Sequence, residues 1–380
     1  MGRWAWAEVD LEAVRHNVRV VRDAVAPAEV WAVVKADGYG HGSSDVARAA
    51  IDAGATTLCV ALVSEGVELR RAGLTEPILI LSEQPVEQFD ELIAHDLTPT
   101  VYSTAAVSRL DARAEAAGRI VDVHLKIDTG MQRVGVDPSA GVEVARAIVD
   151  AGSLRLAGTY THLACADEVE TSANAEQLDR FDSAVDALRA AGLEPGTLHA
   201  ANSAGALAIG RARHAAVRLG IAMYGVSPGA GVDHLCGALR PAMSLRARVS
   251  LVKRVEAGSH VSYGWRHRFE RPTTIATVPA GYADGVPRRL GTLPDRPGAE
   301  VLIGGRRCPI VGVVTMDQFL VDVGDLPVAV GDEVVLIGHQ GDESIRAEEW
   351  ADRLGTIGYE VVCGISARVP RLVVGASPAP

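Results

Sequence analysis

The sequence predicts an α/β fold, an eight-stranded parallel β/α barrel followed by a mainly β domain. Three observations predict it. Through the first two-thirds of the 380 residues, short apolar runs alternate with amphipathic stretches. Most of those runs are apolar throughout, as in strands buried on both faces. After Gly225 the runs become short and β-branched, with turns rich in Gly, Asp and Pro between them.

The barrel strands are expected at Trp31–Lys35, Thr56–Leu62, Pro77–Leu81, Thr98–Tyr102, Ile120–Asp128, Leu154–His162, Leu198–Asn202 and His214–Gly220. Helical patterns fall between them at Ser43–Ala53, Ser64–Ala72, Val86–His95, Ala105–Ala117, Ala140–Ala151, Ala175–Ala191 and Ser203–Arg211. Gly54, Gly73, Gly118, Gly152 and Gly192 close five of these, where left-handed caps are expected. Strands alternating with helices in this number predict a closed parallel barrel. Leu11–Val25 is an extra helix in front of it, and Trp4–Val9 reads as a strand that pairs with the C-terminal domain. Val226–Gly237, rich in Gly, Pro and Ser, reads as a linker, which sets the domains at 1–235 and 236–380. Beyond it, strands are expected at Arg246–Val255, Thr273–Pro279, Glu300–Ile303, Cys308–Val314, Phe319–Val323 and Glu333–Ile337, with one helix near Arg346–Arg353. The Ser-Pro-Ala-Pro ending reads as a frayed tail.

Composition excludes several function classes. The net charge of −11 argues against a nucleic-acid binder, whose footprint is a basic face. No apolar run is long enough to span a bilayer, and Met1–Asp10 has no apolar segment of the kind that directs export. The five cysteines are scattered without metal-ligand spacing, so they read as reduced thiols of a cytoplasmic protein, and no metal site is expected. Of 37 basic residues only Lys35, Lys126 and Lys253 are lysines. Where arginine serves for surface cations, a retained lysine is a candidate for chemistry that needs a deprotonable amine, such as a Schiff base.

In a β/α barrel the active site lies at the C-terminal ends of the strands. Those ends carry Lys35 followed by Ala36-Asp37-Gly38-Tyr39-Gly40, Lys126 with Asp128 and Arg133, Thr161-His162, Asn202-Ser203, and Arg218 with Gly220-Ile221. Two of the three lysines fall on this one face. Ser203 and the amides of Gly220 and Ile221 occupy the phosphate position usual for the fold. A Schiff-base lysine beside a phosphate site points to pyridoxal 5′-phosphate. Each residue taken alone has a plainer reading: Lys35 as an ion pair with Asp37, Lys126 as an ammonium paired with Asp128, His162 as a core histidine, Arg218 as a barrel ion pair.

An ordered set of motifs resembles the alanine racemases. It comprises Ala32-Val33-Val34-Lys35-Ala36-Asp37-Gly38-Tyr39-Gly40-His41-Gly42, Lys126 to Arg133, Thr161-His162-Leu163, Asn202-Ser203-Ala204 and Arg218 to Gly225. It continues with Val261-Ser262-Tyr263-Gly264, Gly281 to Gly285, Met316-Asp317-Gln318 and Thr356 to Glu360. The resemblance implies an isomerase with pyridoxal phosphate in the barrel, supplying D-alanine for peptidoglycan. It also implies a homodimer with active sites shared across the interface, so that Lys35 and the partner subunit's Tyr263 are the two catalytic bases. By position it assigns Tyr39, His162, Asn202, Ser203, Arg218, Gly220, Ile221 and Tyr359 to the cofactor. Arg133, Met316, Tyr282 and Lys126 fall to the substrate, with Lys126 at a position that is often carbamylated. Tyr282, Arg288, Asp167 and Ile357 match an entry corridor.

Four positions depart from the family pattern. Leu219 replaces a proline, Gly358 replaces an asparagine, and Val313 and Thr315 stand where arginine and cysteine are common. Within enzymes the competing readings are a broader amino-acid racemase, acting for example on serine, and a barrel-type decarboxylase. From another class comes a non-catalytic pyridoxal phosphate carrier. Tyr263 and its surrounding motif argue against the decarboxylase, and Tyr263 with the β domain against the carrier.

Overall fold

The computed structural model describes residues 3–292 and 296–375. The Ser-Pro-Ala-Pro ending lies outside them. Two compact units are present: Val14–Arg240, and Met1–Ala13 together with Pro241–Pro380.

The first strand, β1 (Ala5–Asp10), belongs to the second unit and is described with it. The helix Leu11–Val25 follows directly. Leu11, Val14, Val18, Val21 and Val25, at alternating spacings of three and four, are all buried, as an amphipathic helix requires. The barrel strands are β2 (Glu29–Val33), β3 (Thr57–Val60), β4 (Ile78–Ile80), β5 (Thr98–Val101), β6 (Val121–Lys126), β7 (Leu154–Tyr160), β8 (Thr197–His199) and β9 (Ala216–Leu219). They pair in chain order, and β9 returns to β2, where Glu29 to Ala32 lie parallel to Ala216 to Leu219, so the barrel closes. Each expected strand is present within a few residues. β2 is displaced by two residues at both ends, starting at Glu29 and ending at Val33, which leaves Lys35 just past the strand, and β8 ends three residues early at His199. Four of the five expected glycine caps have positive φ; Gly152 does not. The expected helix Ser203–Arg211 is shorter, ending at Ala208 before a 3-10 turn at Gly210–Ala212.

Most of the strand interior is Val, Leu and Ile, and full burial of each such side chain contributes about 1.5–3 kcal/mol. The polar exceptions cluster. Register sets Lys126 beside Tyr160 and Tyr160 beside His199 across β6, β7 and β8, Thr100 beside His124, and Trp31 beside Arg218. All are buried.

The expected linker Val226–Gly237 is not a free connection. Val226 and Val232 are buried, Ala230–Leu235 forms a 3-10 helix, and the Cys236 thiol contacts the Val232 carbonyl. Its glycines permit close packing instead of looseness: a Cβ on Gly231 would lie 2.2 Å from the Asp167 carbonyl oxygen. The units divide a few residues further on, between Arg240 and Pro241.

The second unit is built on a ten-stranded sheet. The run expected at Arg246–Val255 is two strands, β10 (Met243–Arg248) and β11 (Leu251–Val255), which pair with different neighbours. β1 lies antiparallel to β10, and its other edge pairs in parallel with Arg371–Val374. The short strands His260–Val261 and His267–Arg268 form a separate hairpin around Tyr263. Val261, Phe269, Ile275 and Val311 pack as one cluster beneath it. The buried Asp284 carboxylate is paired with Arg3 at 2.5 Å and Arg368 at 3.4 Å and accepts the Gly281 amide at 3.0 Å, which fixes the turn carrying Tyr282. A buried carboxylate left without such partners would be strongly destabilising.

Barrel closure leaves no room at Gly158, where a Cβ would lie 2.5 Å from His124 Cε1 and 2.8 Å from the Thr197 carbonyl oxygen. Gly158→Ala is expected to lower the urea midpoint by the equivalent of about 1–3 kcal/mol. An unchanged midpoint would show that the interior yields at this point.

Candidate active site

Lys35 follows β2 directly and opens a left-handed turn. Ala36, Asp37, Gly38 and Tyr39 all have φ between 52° and 60°. For each residue carrying a Cβ this costs roughly 1–2 kcal/mol. Local hydrogen bonds hold it. The Asp37 carboxylate accepts the Ser43 amide at 2.9 Å, and the Asp37 carbonyl accepts the Gly42 amide at 2.9 Å. The Glu65 carboxylate accepts the Ala36 amide at 2.7 Å and the Ala61 and Leu62 amides at 2.8 and 3.1 Å. Asp37 therefore works on the backbone of the turn.

The turn carries the Tyr39 ring back across the barrel mouth, where it is buried against Tyr224 with centroids 5.0 Å apart. A Cβ on Gly220 would stand 2.8 Å from Tyr39 Oη, too close for that hydroxyl to stay, and in ordinary contact with Ser203 Oγ at 3.7 Å. Asn202 caps the helix Ser203–Ala208, its Oδ1 accepting the Gly205 amide at 3.0 Å. That fixes Ser203, whose Oγ accepts the Gly220 amide at 2.9 Å and the Ala222 amide at 3.4 Å. The serine hydroxyl proton remains to donate outward. Ile221 begins the next 3-10 turn and is fully buried.

Arg218 stands on β9 and is buried. Its guanidinium can only donate. One nitrogen donates to His199 Nδ1 at 2.7 Å. The other serves the Thr161 and Ala200 carbonyls at 2.8 and 3.0 Å and His162 Nδ1 at 3.2 Å. Both imidazoles must accept at Nδ1, so each carries its proton on Nε2. His199 Nε2 then donates to His124 Nδ1 at 3.0 Å. Burial, then the Arg218 charge, hold His162 and His199 well below the usual histidine range. Burial brings His124 down to about 4. Burial pushes the Cys59 thiol up to about 12, against the pull of Arg218 and Lys35.

Lys126 ends β6 and is buried. Its amine lies 5.3 Å from the Tyr160 ring centroid, and the Arg218 guanidinium carbon lies 5.0 Å from the same ring. Burial first, then the charges of Arg218 and Arg133, lower its pKa to about 7; Asp128 opposes them and is outweighed. Asp128 instead ties the following loop, accepting the Gly130 and Gln132 amides at 2.9 and 3.1 Å. That loop presents Arg133, which is exposed.

The remaining expected residues lie on the β unit. Tyr263 is 73% exposed, on a turn between the two strands of the hairpin. Tyr282 and Met316 are exposed beside one another, since the Thr315 and Met316 carbonyls accept the Tyr282 and Ala283 amides at 3.0 Å. Tyr359 is partly buried in the helix Gly358–Cys363. Within the barrel unit the structure brings Tyr39, Ser203 and Gly220 into one cradle. It joins Arg218 to His162, and it sets Lys126 and Arg218 against one ring.

The departures have local explanations. Thr315 donates its hydroxyl to the Gln318 carbonyl at 2.7 Å, closing its own turn. Val313 is buried, and its carbonyl accepts the Ser262 hydroxyl at 2.8 Å. Leu219 is buried in the β2–β9 pairing, and Gly358 opens its helix. Sequence reasoning missed His124, Tyr160, His199 and Glu65. The first three had a signal, a polar ring inside an otherwise apolar strand. Glu65 had none beyond a place in the first turn of a helix.

These features define a two-unit β/α-barrel protein with a cationic strand-end site. Residues 9–228 match the family model described as alanine racemase, N-terminal domain, and residues 242–373 match alanine racemase, C-terminal domain. An alanine racemase of Symbiobacterium thermophilum is 47% identical over 374 residues, 98% of each chain. One from Thermobifida fusca is 43% identical over 380 residues, 99% of this chain and 100% of the other. The crystal structure of alanine racemase from D-cycloserine-producing Streptomyces lavendulae superposes with a TM-score of 0.94 at 39% identity, covering 99% of this chain and 98% of that one. The Bacillus anthracis alanine racemase with bound L-Ala-P gives 0.92 at 40%, covering 99% and 97%. The chain belongs to the alanine racemase family and is an isomerase. No helix among the described residues is long and apolar enough to cross a membrane.

The lowered pKa of Lys126 has a stability consequence. Its folded value is about 7 against an ordinary 10.5, so between these values the unfolded chain binds more protons, and stability rises with pH. Lys126→Met is expected to flatten that rise when urea unfolding is followed across this window in CO2-free buffer. A slope identical to wild type would contradict the buried-amine description.

Proposed function

We propose that this chain is an alanine racemase, interconverting L- and D-alanine with pyridoxal 5′-phosphate. One observation carries the reading: the neighbouring strand ends of β8, β9 and β2 supply a lysine on a strained turn, a cradle of hydroxyls, and a buried guanidinium. The cradle fits the group. The Tyr39 and Ser203 hydroxyls converge beside Gly220, where a Cβ would meet Tyr39 Oη at 2.8 Å, and Arg133 and Arg218 keep the surroundings cationic for an anionic cofactor. Tyr359 serves the same phosphate.

When bound, pyridoxal phosphate draws electrons from the substrate α-carbon. Lys35 holds the cofactor and moves the α-proton on one face. The partner subunit's Tyr263 moves it on the other, because racemisation needs removal and delivery from opposite sides. Arg218, which keeps its own proton, would meet the cofactor's ring nitrogen. His162, accepting from Arg218, keeps its N–H on Nε2. Arg133 and the Met316 amide take the substrate carboxylate, with Tyr282 beside them. Lys126, with a substantial fraction of free amine at neutral pH, adds CO2 and releases a proton to become a carbamate. That turns a cation near Arg133 into an anion that orients it.

The exposure of the base supports a homodimer. Tyr263, Trp265, Tyr282 and Met316 leave aromatic and apolar surface uncovered on the β unit, as interface cores do. A second copy covers it and completes each site. The five cysteines are free, in keeping with work in the reducing cytoplasm, where D-alanine serves peptidoglycan synthesis.

A second reading is a broader racemase that also takes serine, since one added hydroxyl is only weakly rejected by an apolar pocket. Initial rates with purified holoenzyme over a panel of L- and D-amino acids decide between them. Alanine is expected to lead, with serine behind it; comparable turnover of bulky or basic amino acids would overturn the assignment. Lys35→Ala is expected to abolish the near-visible absorbance of the lysine-bound cofactor, and an unchanged spectrum would remove Lys35 from its role.

A further inference from the structure

Within its own chain Tyr263 is exposed, so its side chain has little packing to aim it before a second copy covers it, yet a proton-transfer group must be held to within a fraction of an ångström. The backbone around it supplies the restraint. Ser262, the preceding residue, has φ 62° and ψ −177°, and Trp265 has φ 47°, both unusual for residues with a Cβ. The Ser262 hydroxyl donates to the Val313 carbonyl at 2.8 Å. Gly312, also left-handed at φ 72°, makes room: a Cβ there would lie 2.6 Å from Ser262 Cβ and 3.2 Å from the Val261 carbonyl oxygen. On its N-terminal side, Val261 is anchored in the cluster with Phe269, Ile275 and Val311. On its other side, the Trp265 amide closes the turn onto the Ser262 carbonyl at 3.3 Å, and the Trp265 ring stacks on His260 at 5.1 Å.

We propose that Ser262 is a positioning residue for Tyr263: its hydroxyl, seated on the Val313 carbonyl over Gly312, locks the strained turn that aims the phenol. This rests on Tyr263 being one of the two bases. The hydrogen bond is made to a backbone carbonyl, so it is indifferent to the side chain at 313. The departure from arginine to valine therefore leaves the lock intact. Ser262 touches neither substrate nor cofactor in this account; it acts through the residue that follows it.

The test must see one base and not the other. The two enantiomers are equal in free energy, so kcat/KM for L- and D-alanine must stay equal in every variant, and rates alone cannot assign the fault. The α-deuterium isotope effect can, because it grows only for the enantiomer whose proton the displaced base removes. With the holoenzyme, Ser262→Ala is expected to lower kcat by about 10- to 100-fold. Its isotope effect should grow for a single enantiomer, the one for which Tyr263→Phe suppresses α-proton exchange. Gly312→Ala, which pushes Ser262 aside while keeping its hydroxyl, should reproduce the one-sided change. In the cofactor-free protein, hydrogen exchange at the Trp265 amide should quicken in Ser262→Ala. Wild-type isotope effects and wild-type exchange in Ser262→Ala would overturn the proposal, as would an equal rise for both enantiomers. A symmetric effect of Tyr263→Phe, with Ser262 intact, would sink the base assignment itself and the proposal with it.

Discussion

The barrel mouth depends on one buried guanidinium that cannot lose its proton. Arg218 sits among carbonyls and imidazoles, with no carboxylate against it. Burying a cation this way is expensive unless every donor is satisfied, and the neighbours are arranged to satisfy it. Because a guanidinium only donates, His199 and His162 must present lone pairs, and His124 must accept from His199. One charge thus fixes three tautomers across four strands. The same charge lowers the proton affinity of Lys126 from across the Tyr160 ring. The region is short of negative charge, which is the physical case for an anionic cofactor and for a carbamate on Lys126.

The second constraint is backbone strain placed beside reactive groups. Lys35 and Tyr39 bracket a left-handed turn, and Ser262 and Trp265 flank Tyr263 in the same region of backbone space. Such conformations persist only where surrounding bonds over-determine them. Here those bonds come from Glu65 and Asp37 in one case and from Val313 in the other. Each of the two proposed bases thus hangs from an unusual piece of chain held by bonds to its backbone.

Much of this was legible in the sequence. Apolar runs at barrel spacing set all eight strands, because strands covered on both faces leave an unambiguous signal. The strand-end rule selects Lys35, Lys126, His162, Ser203 and Arg218, and all five lie at or beside the C-terminal ends of β2, β6, β7, β8 and β9. Lys253, an exposed residue of β11, shows that scarcity alone does not make a lysine reactive. What stayed hidden was long-range or conformational. Ala36-Asp37-Gly38-Tyr39 does not announce four successive left-handed residues; they are held in part by Glu65, twenty-nine positions on from Ala36. The His124–His199 link spans 75 positions. Val226–Gly237 misled because glycine and proline signal loop without distinguishing a loose connection from a tightly packed one. Arg246–Val255 misled because a β-branched run says nothing about where the chain changes neighbours.

If a permanently charged Arg218 governs the mouth, its histidines cannot titrate in the physiological range. The direct measurement is the 15N chemical shift of the His162 and His199 rings in the holoenzyme between about pH 5.5 and 8.5, where a free imidazole would change charge. The account predicts a fixed neutral form throughout, with the proton on Nε2 and Nδ1 unprotonated. Protonation of either ring near the ordinary histidine value of about 6.5, or a proton residing on Nδ1, would contradict it.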